Sequence, residues 1–163
     1  PTAKGMVAEK RPFQGILYAG LIQTATGPKV IEFNARFGDP ETQVVLARLE
    51  SPLSEIISSL LVKEQPTIAW NELASVGVVV AAEGYPNQYK TNLPLPEMSG
   101  ETIYYAGVTR SEQALVSAGG RIFLAEATAS TLEEARKKVY QTLDNYSFPG
   151  MYYRKDIGVK GLI

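Results

Sequence analysis

The densest grouping of residues able to do chemistry is Glu32-Phe33-Asn34-Ala35-Arg36-Phe37-Gly38-Asp39-Pro40-Glu41-Thr42. Residues 29–37 have strand composition, and side chains alternate along a strand. Glu32, Asn34 and Arg36 therefore fall on one face, and Ile31, Phe33 and Ala35 on the other. A carboxylate beside an amide oxygen is a pair of hard ligands, which Mg²⁺ accepts while water and substrate phosphate keep its other positions. Arg36 adds a planar fork suited to phosphate or acyl-phosphate oxygens. Gly38-Asp39-Pro40 breaks the strand, with Asp39 as N-cap and Pro40 as first helical residue. The backbone amides of that helix start are a second anion-binding element. Spacing alone leaves another explanation standing. Alternating polar side chains on a hairpin are also the solvated face of a two-sided sheet, and Asp39 is fully explained as a cap.

Composition limits which chemistry these residues could join. The 163-residue chain has no cysteine and no histidine. Disulfides, thiolate nucleophiles and zinc ribbons are excluded, and so is the commonest general base. Phosphoryl transfer suits what remains, because it depends on positioning and charge neutralisation by a hard metal, Lys and Arg. Net charge is −1 with the cations scattered, which offers no electrostatic footprint for nucleic acid. No apolar run is long enough to span a bilayer, and the opening residues lack a signal-peptide core. A cytoplasmic protein with neither nucleic-acid nor membrane partner is expected.

The elements that must position the grouping read as follows. Residues 15–22 and 29–37 form a hairpin around the turn cluster Thr24-Ala25-Thr26-Gly27-Pro28, followed by helices at 41–49 and 53–62. Lys63-Glu64-Gln65-Pro66-Thr67 marks a domain boundary, dividing the chain into 1–65 and 66–163. Beyond it, strands are expected at 75–83, 102–105, 113–117 and 121–128. A turn-rich loop fills 84–100, and Ser117-Ala118-Gly119-Gly120 reads as a hairpin turn. Ser130 caps a helix over 131–143 carrying Leu132, Ala135, Val139 and Leu143 on one face, and 151–154 is a last strand. The fold class is α+β in two pieces. A two-stranded hairpin is marginal alone, so the chain reads as a fragment of a longer protein.

Gly15-Ile16-Leu17-Tyr18-Ala19-Gly20-Leu21 followed by residues 30–43 closely resembles the phosphoribosylamine–glycine ligases, also called glycinamide ribonucleotide synthetases. The resemblance continues through Gly84-Tyr85-Pro86, Tyr105-Ala106-Gly107, Gly119-Gly120-Arg121 and Tyr153-Arg154-Lys155-Asp156-Ile157-Gly158, so it covers essentially the whole length. It implies the end of an ATP-grasp region over 1–65 and the small β-rich C-terminal domain over 66–163. It also implies a carbon–nitrogen ligase of purine synthesis. In that family glycine's carboxylate attacks the γ-phosphate of ATP, and 5-phosphoribosylamine then displaces phosphate from glycyl phosphate.

By this resemblance the ligands of Mg²⁺ (or Mn²⁺) are Glu32 and Asn34, and the catalytic role falls to Arg36. Arg36, Gly38 and Asp39 face substrate. Related enzymes often carry a further acidic ligand on the preceding strand, which residues 16–22 lack. Arg154 and Lys155 look similar to a segment that holds a sugar phosphate in related purine enzymes, although surface charges paired with Asp156 would read the same way. Tyr85, Tyr104, Tyr105, Tyr152 and Tyr153 are given no role. The implied partners are ATP, glycine, 5-phosphoribosylamine and the N-terminal part of the same enzyme, without which the chain is expected to be inactive. A non-catalytic magnesium- and phosphate-binding module and a purely structural domain are the competing readings.

Overall fold

The computed structural model describes residues 1–98, 102–112 and 114–162, so the Gly100 end of the expected loop and Gln113, the expected start of a strand, lie outside the described residues. The chain divides into two units, Pro1–Thr42 with Leu49–Ala69, and Gln43–Arg48 with Trp70–Ile163. Their elements are both α and β, as expected. Among the described residues no helix is long and apolar enough to cross a membrane.

The first unit opens with helix α1 (Thr2–Ala8), which the sequence reading missed. It continues with the antiparallel pair β1 (Tyr18–Thr24) and β2 (Gly27–Asn34). Thr24 Oγ1 donates to the Gly27 carbonyl at 2.7 Å and accepts from the Thr26 amide at 3.2 Å, closing the turn. Pairing slips between Gly20↔Glu32 and Leu21↔Val30, which leaves Ile31 as an extra residue in β2. No third described strand joins this pair. Leu21, Ile31 and Phe33 are consequently 58%, 67% and 47% exposed. Strand β2 ends at Asn34, three residues short of the expected limit, because its partner begins at Tyr18 and offers nothing for Ala35 or Arg36 to pair with. Helices α2 (Glu41–Leu46) and α3 (Leu53–Leu61) follow, the first straddling the division between the units.

The second unit is built on a four-stranded antiparallel sheet. Its strands are β3 (Ala74–Ala82), β4 (Thr102–Tyr105), β7 (Arg121–Ala129) and β8 (Met151–Tyr153), in the order β4-β7-β3-β8. A separate pair, β5 (Val108–Ser111) and β6 (Ala114–Ser117), precedes β7. Residues 117–120 therefore connect two sheets and do not close a hairpin as expected. The Ala118 and Gly119 amides both bond the Gly107 carbonyl, which turns the chain away from β6.

One face of the sheet is apolar by alternation. Val76, Val78 and Val80 sit opposite Ala127, Ala125 and Phe123, and all but Ala127 are fully buried. Helix α4 (Leu132–Asn145) covers them with Ala135, Val139 and Leu143, each at 0% exposure. Its N-cap is Thr131, whose Oγ1 accepts from the Glu134 amide at 3.2 Å. Ser130, expected as the cap, donates instead to the Glu134 carboxylate at 2.6 Å, since it stands one residue too early to reach the free amide.

Truncation of Leu143 to Ala should cost about 2–5 kcal/mol, because it empties a site with no route to solvent. Thr131→Ala should cost about 1 kcal/mol through the lost cap. Urea unfolding midpoints at constant slope check both, and equal losses would refute the core assignment. A second test concerns Glu126, which is buried and bonded by Ser75 Oγ at 2.8 Å. Desolvation raises its pKa above the ordinary 4.5, and the Ser75 bond only partly opposes this. The folded state thus holds the proton more tightly than the unfolded chain, so folding is penalised at pH above the raised value. Glu126→Gln should be more stable than the parent at neutral pH, and the gain should shrink as pH falls toward 4.5. A gain that persists unchanged at low pH would refute it.

Candidate functional site

Tyr18, Gly20, Glu32 and Asn34 share one side of the hairpin, because Tyr18 pairs with Asn34 and Gly20 with Glu32. Asn34 Nδ2 donates to Glu32 Oε1 at 2.9 Å, so the expected carboxylate and amide do stand side by side. Glycine at position 20 leaves the Glu32 side chain room to lie over the strand. A Cβ there would come within 3.2 Å of Glu32 Cγ. Glu32 is exposed and Asn34 half-buried, so their oxygens are reachable from solvent.

Arg36 lies beyond the strand, and alternation does not carry it onto this face. Its Nη1 donates to the Phe37 carbonyl at 2.8 Å, which uses one of five guanidinium donors. Gly38 is buried. Its carbonyl accepts from both the Thr42 amide, at 3.2 Å, and the Thr42 hydroxyl. One amide of the expected anion-binding helix start is therefore already engaged. Asp39 is exposed, and helix α2 begins two residues after it, with the Glu41 carboxylate in its first turn.

Two residues of this cluster, Tyr18 and Glu41, were given no role by sequence reasoning. Interaction of the Tyr18 phenol with the Glu41 carboxylate, together with burial and the charges of Glu41 and Glu32, raises its pKa. Tyr18 and Glu41 are 23 positions apart and share no periodicity, so only the fold brings them together. A side chain at position 38 would meet Glu41 Oε2 at 2.6 Å and the Tyr18 ring at 3.1 Å. Gly38 is thus the floor on which these two groups meet.

The donor set fits a magnesium-type ion. It supplies two hard oxygens from adjacent side chains, and Mg²⁺ bound by one or two protein groups completes its shell with water and phosphate. Among the described residues no cluster of three or more His, Cys, Asp or Glu exists that would form an all-protein cage.

In the second unit, Arg154 and Lys155 follow strand β8 and are exposed. The Arg154 guanidinium forms a two-point fork with Asp156, Nε to Oδ1 at 3.0 Å and Nη2 to Oδ2 at 2.7 Å. That fork holds the Asp156 carboxylate below its usual range. Both side chains are more than 60% exposed, so the pair adds little stability. The backbone beneath is held by α4. Arg136 and Tyr140 of that helix bond residues 154–157, and Tyr153 Oη donates to Asp144 at 3.1 Å. The spacing 136, 140, 144 marks one helical face, which the sequence reading did not single out.

Comparison with known proteins gives this geometry its context. The family model described as phosphoribosylglycinamide synthetase, ATP-grasp (A) domain, matches residues 1–42, and that of the C domain of the same synthetase matches residues 75–160, more than half of the chain. The chain is 51% identical to a phosphoribosylamine–glycine ligase of Halalkalibacterium halodurans, over 99% of this chain and 39% of the relative. It is 50% identical to that of Lactococcus lactis, over 99% and 40% respectively. A crystal structure of the ligase from Thermotoga maritima superposes with a TM-score of 0.84 at 30% identity, covering 94% of this chain and 39% of that one. The chain thus spans about two fifths of the length of the relatives it matches. The resemblance read from the motif blocks is met.

Gly38→Ala should force the Glu41 carboxylate off Tyr18, so the Tyr18 phenol should titrate closer to the ordinary 10.0. Tyrosinate absorbance, taken as the component missing in Tyr18→Phe, reads this directly. An unmoved Tyr18 titration would show that Gly38 does not govern the contact.

Proposed function

The chain belongs to the phosphoribosylglycinamide synthetase family, and from that membership we propose that it is the C-terminal part of an ATP-dependent phosphoribosylamine–glycine ligase. The proposed reaction has two displacements. Glycine's carboxylate oxygen attacks the γ-phosphorus of ATP and ADP leaves, giving glycyl phosphate. The amine of 5-phosphoribosylamine then attacks the glycyl carbonyl, and phosphate leaves with its bonding pair. The products are glycinamide ribonucleotide, ADP and phosphate.

The observation that carries this reading is the Glu32–Asn34 pair, joined at 2.9 Å within the residues that match an ATP-grasp domain. We assign these two side chains the task of holding Mg²⁺ or Mn²⁺. A divalent ion so held supplies charge neutralisation to phosphate oxygens. Arg36 keeps four donors beyond its Phe37 contact, and its proposed role is to bind the transferred phosphoryl and the acyl phosphate. Gly38 and Asp39 line the same substrate-facing turn. Arg154 and Lys155 are assigned the sugar phosphate, with the Arg154 fork held flat by Asp156. The adenine and glycine pockets are assigned mainly to the part of the ligase outside this chain, and the setting to the cytoplasm.

The test is made in the full-length ligase. Glu32→Gln and Asn34→Ala should each raise the magnesium concentration needed for half-maximal rate. The rise should reach at least the roughly 10- to 100-fold that losing an outer-sphere partner of a metal costs. Normal magnesium dependence in both variants would remove the metal assignment.

A further inference from the structure

Helix α4 does more than cover the sheet. Its Arg136 Nε donates to the Ile157 carbonyl at 3.0 Å and its Nη2 to the Lys155 carbonyl at 2.7 Å. The Tyr140 hydroxyl donates to the Arg154 carbonyl at 2.7 Å and accepts from the Ile157 amide at 3.2 Å. Two side chains one helical turn apart thus make four hydrogen bonds to the backbone of residues 154–157. They also brace each other, since the Arg136 guanidinium lies 4.7 Å from the centre of the Tyr140 ring. Every bond goes to main chain, which leaves the side chains of Arg154 and Lys155 outside this network. Arg154 is in turn kept planar against Asp156, while Gly158, at φ +79°, lets the chain turn back past the Arg136 side chain.

Tyr140 and Ile157 pack at the rim of the core, and the four bonds fix the stretch between β8 and residues 159–162 while Arg154 and Lys155 stay exposed. The core of the unit is closed by Ala135, Val139 and Leu143 on the neighbouring face of the same helix. We infer that Arg136 and Tyr140 are positioning residues for the ligation reaction. They hold the main chain of residues 154–157 so that two adjacent cations meet the phosphate of the sugar substrate without first being ordered. Holding a binding loop in its bound form spares the entropy of ordering it, and the gain appears in binding. Neither residue touches substrate on this account, and each acts through the Arg154–Lys155 pair. The inference therefore rests on the sugar-phosphate assignment proposed above.

The experiment is a mutant cycle in the full-length ligase, with steady-state kinetics against 5-phosphoribosylamine and against ATP. Tyr140→Phe removes two hydrogen bonds and should raise KM for phosphoribosylamine at least about fivefold, the worth of one of them written as a ratio. KM for ATP and kcat should change much less, because the lost contact is uniform binding. Arg136→Gln should act in the same direction, and Arg136→Lys should restore part of the effect. In a background already carrying Arg154→Ala and Lys155→Ala, Tyr140→Phe should have no further effect on KM, since the groups it positions are gone. If Tyr140→Phe leaves KM for phosphoribosylamine unchanged, moves both KM values together with a fall in Tm, or adds fully to the double variant, its role is structural and the inference is overturned. If the Arg154→Ala, Lys155→Ala variant itself keeps a normal KM for phosphoribosylamine, the sugar-phosphate assignment fails and the inference falls with it.

Discussion

The rotation of helix α4 about its own axis governs what the second unit can present. Ala135, Val139 and Leu143 have no exposure at all against the valines of β3 and the inward residues of β7. Burial on that scale is worth about 1.5–3 kcal/mol for a Val or Leu side chain, against about 1 kcal/mol for a typical hydrogen bond. The apolar stripe therefore fixes the helix angle, and the polar contacts follow from it. Arg136 and Tyr140 lie one position after Ala135 and Val139, about 100° further round, which brings them to residues 154–157.

The first unit shows the opposite balance. Its hairpin carries the most chemically suggestive residues in the chain, yet both its faces are open and Leu21, Ile31 and Phe33 are about half exposed or more. Local interactions define the cluster in place of a core. The Asn34–Glu32 bond, the space left by Gly20, and the Gly38 floor under Tyr18 and Glu41 all operate within a few residues of the strand ends. Such an arrangement sets the spacing of a carboxylate and an amide without requiring a deep pocket, and suits an ion that takes most of its ligands from phosphate and water.

What was legible in the sequence follows the range of the interaction concerned. Glu32 and Asn34 were readable as neighbours because alternation along a strand is local, and helix α4 because its stripe repeats every turn. Strands 102–105 and 121–128 were placed within a residue for the same reason. Arg36 was assigned to the strand face wrongly, since strand length depends on where the partner begins, and Gly15-Ile16-Leu17 do not pair. Strand β5, with Thr109, Arg110 and Ser111 in four residues, lacks an apolar face to read. Residues 117–120 looked like a hairpin turn, but which strand receives the chain after a turn is a tertiary decision, taken here by the Gly107 carbonyl. The Tyr18–Glu41 and Tyr140–Arg154 contacts span sequence gaps that no periodicity encodes.

The two stripes of α4 also constrain how this chain can change over generations. A single residue inserted or deleted between Leu132 and Asn145 turns everything beyond it by about 100°, so either the apolar stripe leaves the sheet or the polar stripe leaves residues 154–157. No single compensating substitution restores both. Length variation among relatives should accordingly accumulate in the loop 84–98 and at the 145–151 connection, while this helix tolerates substitution but not a change in residue count.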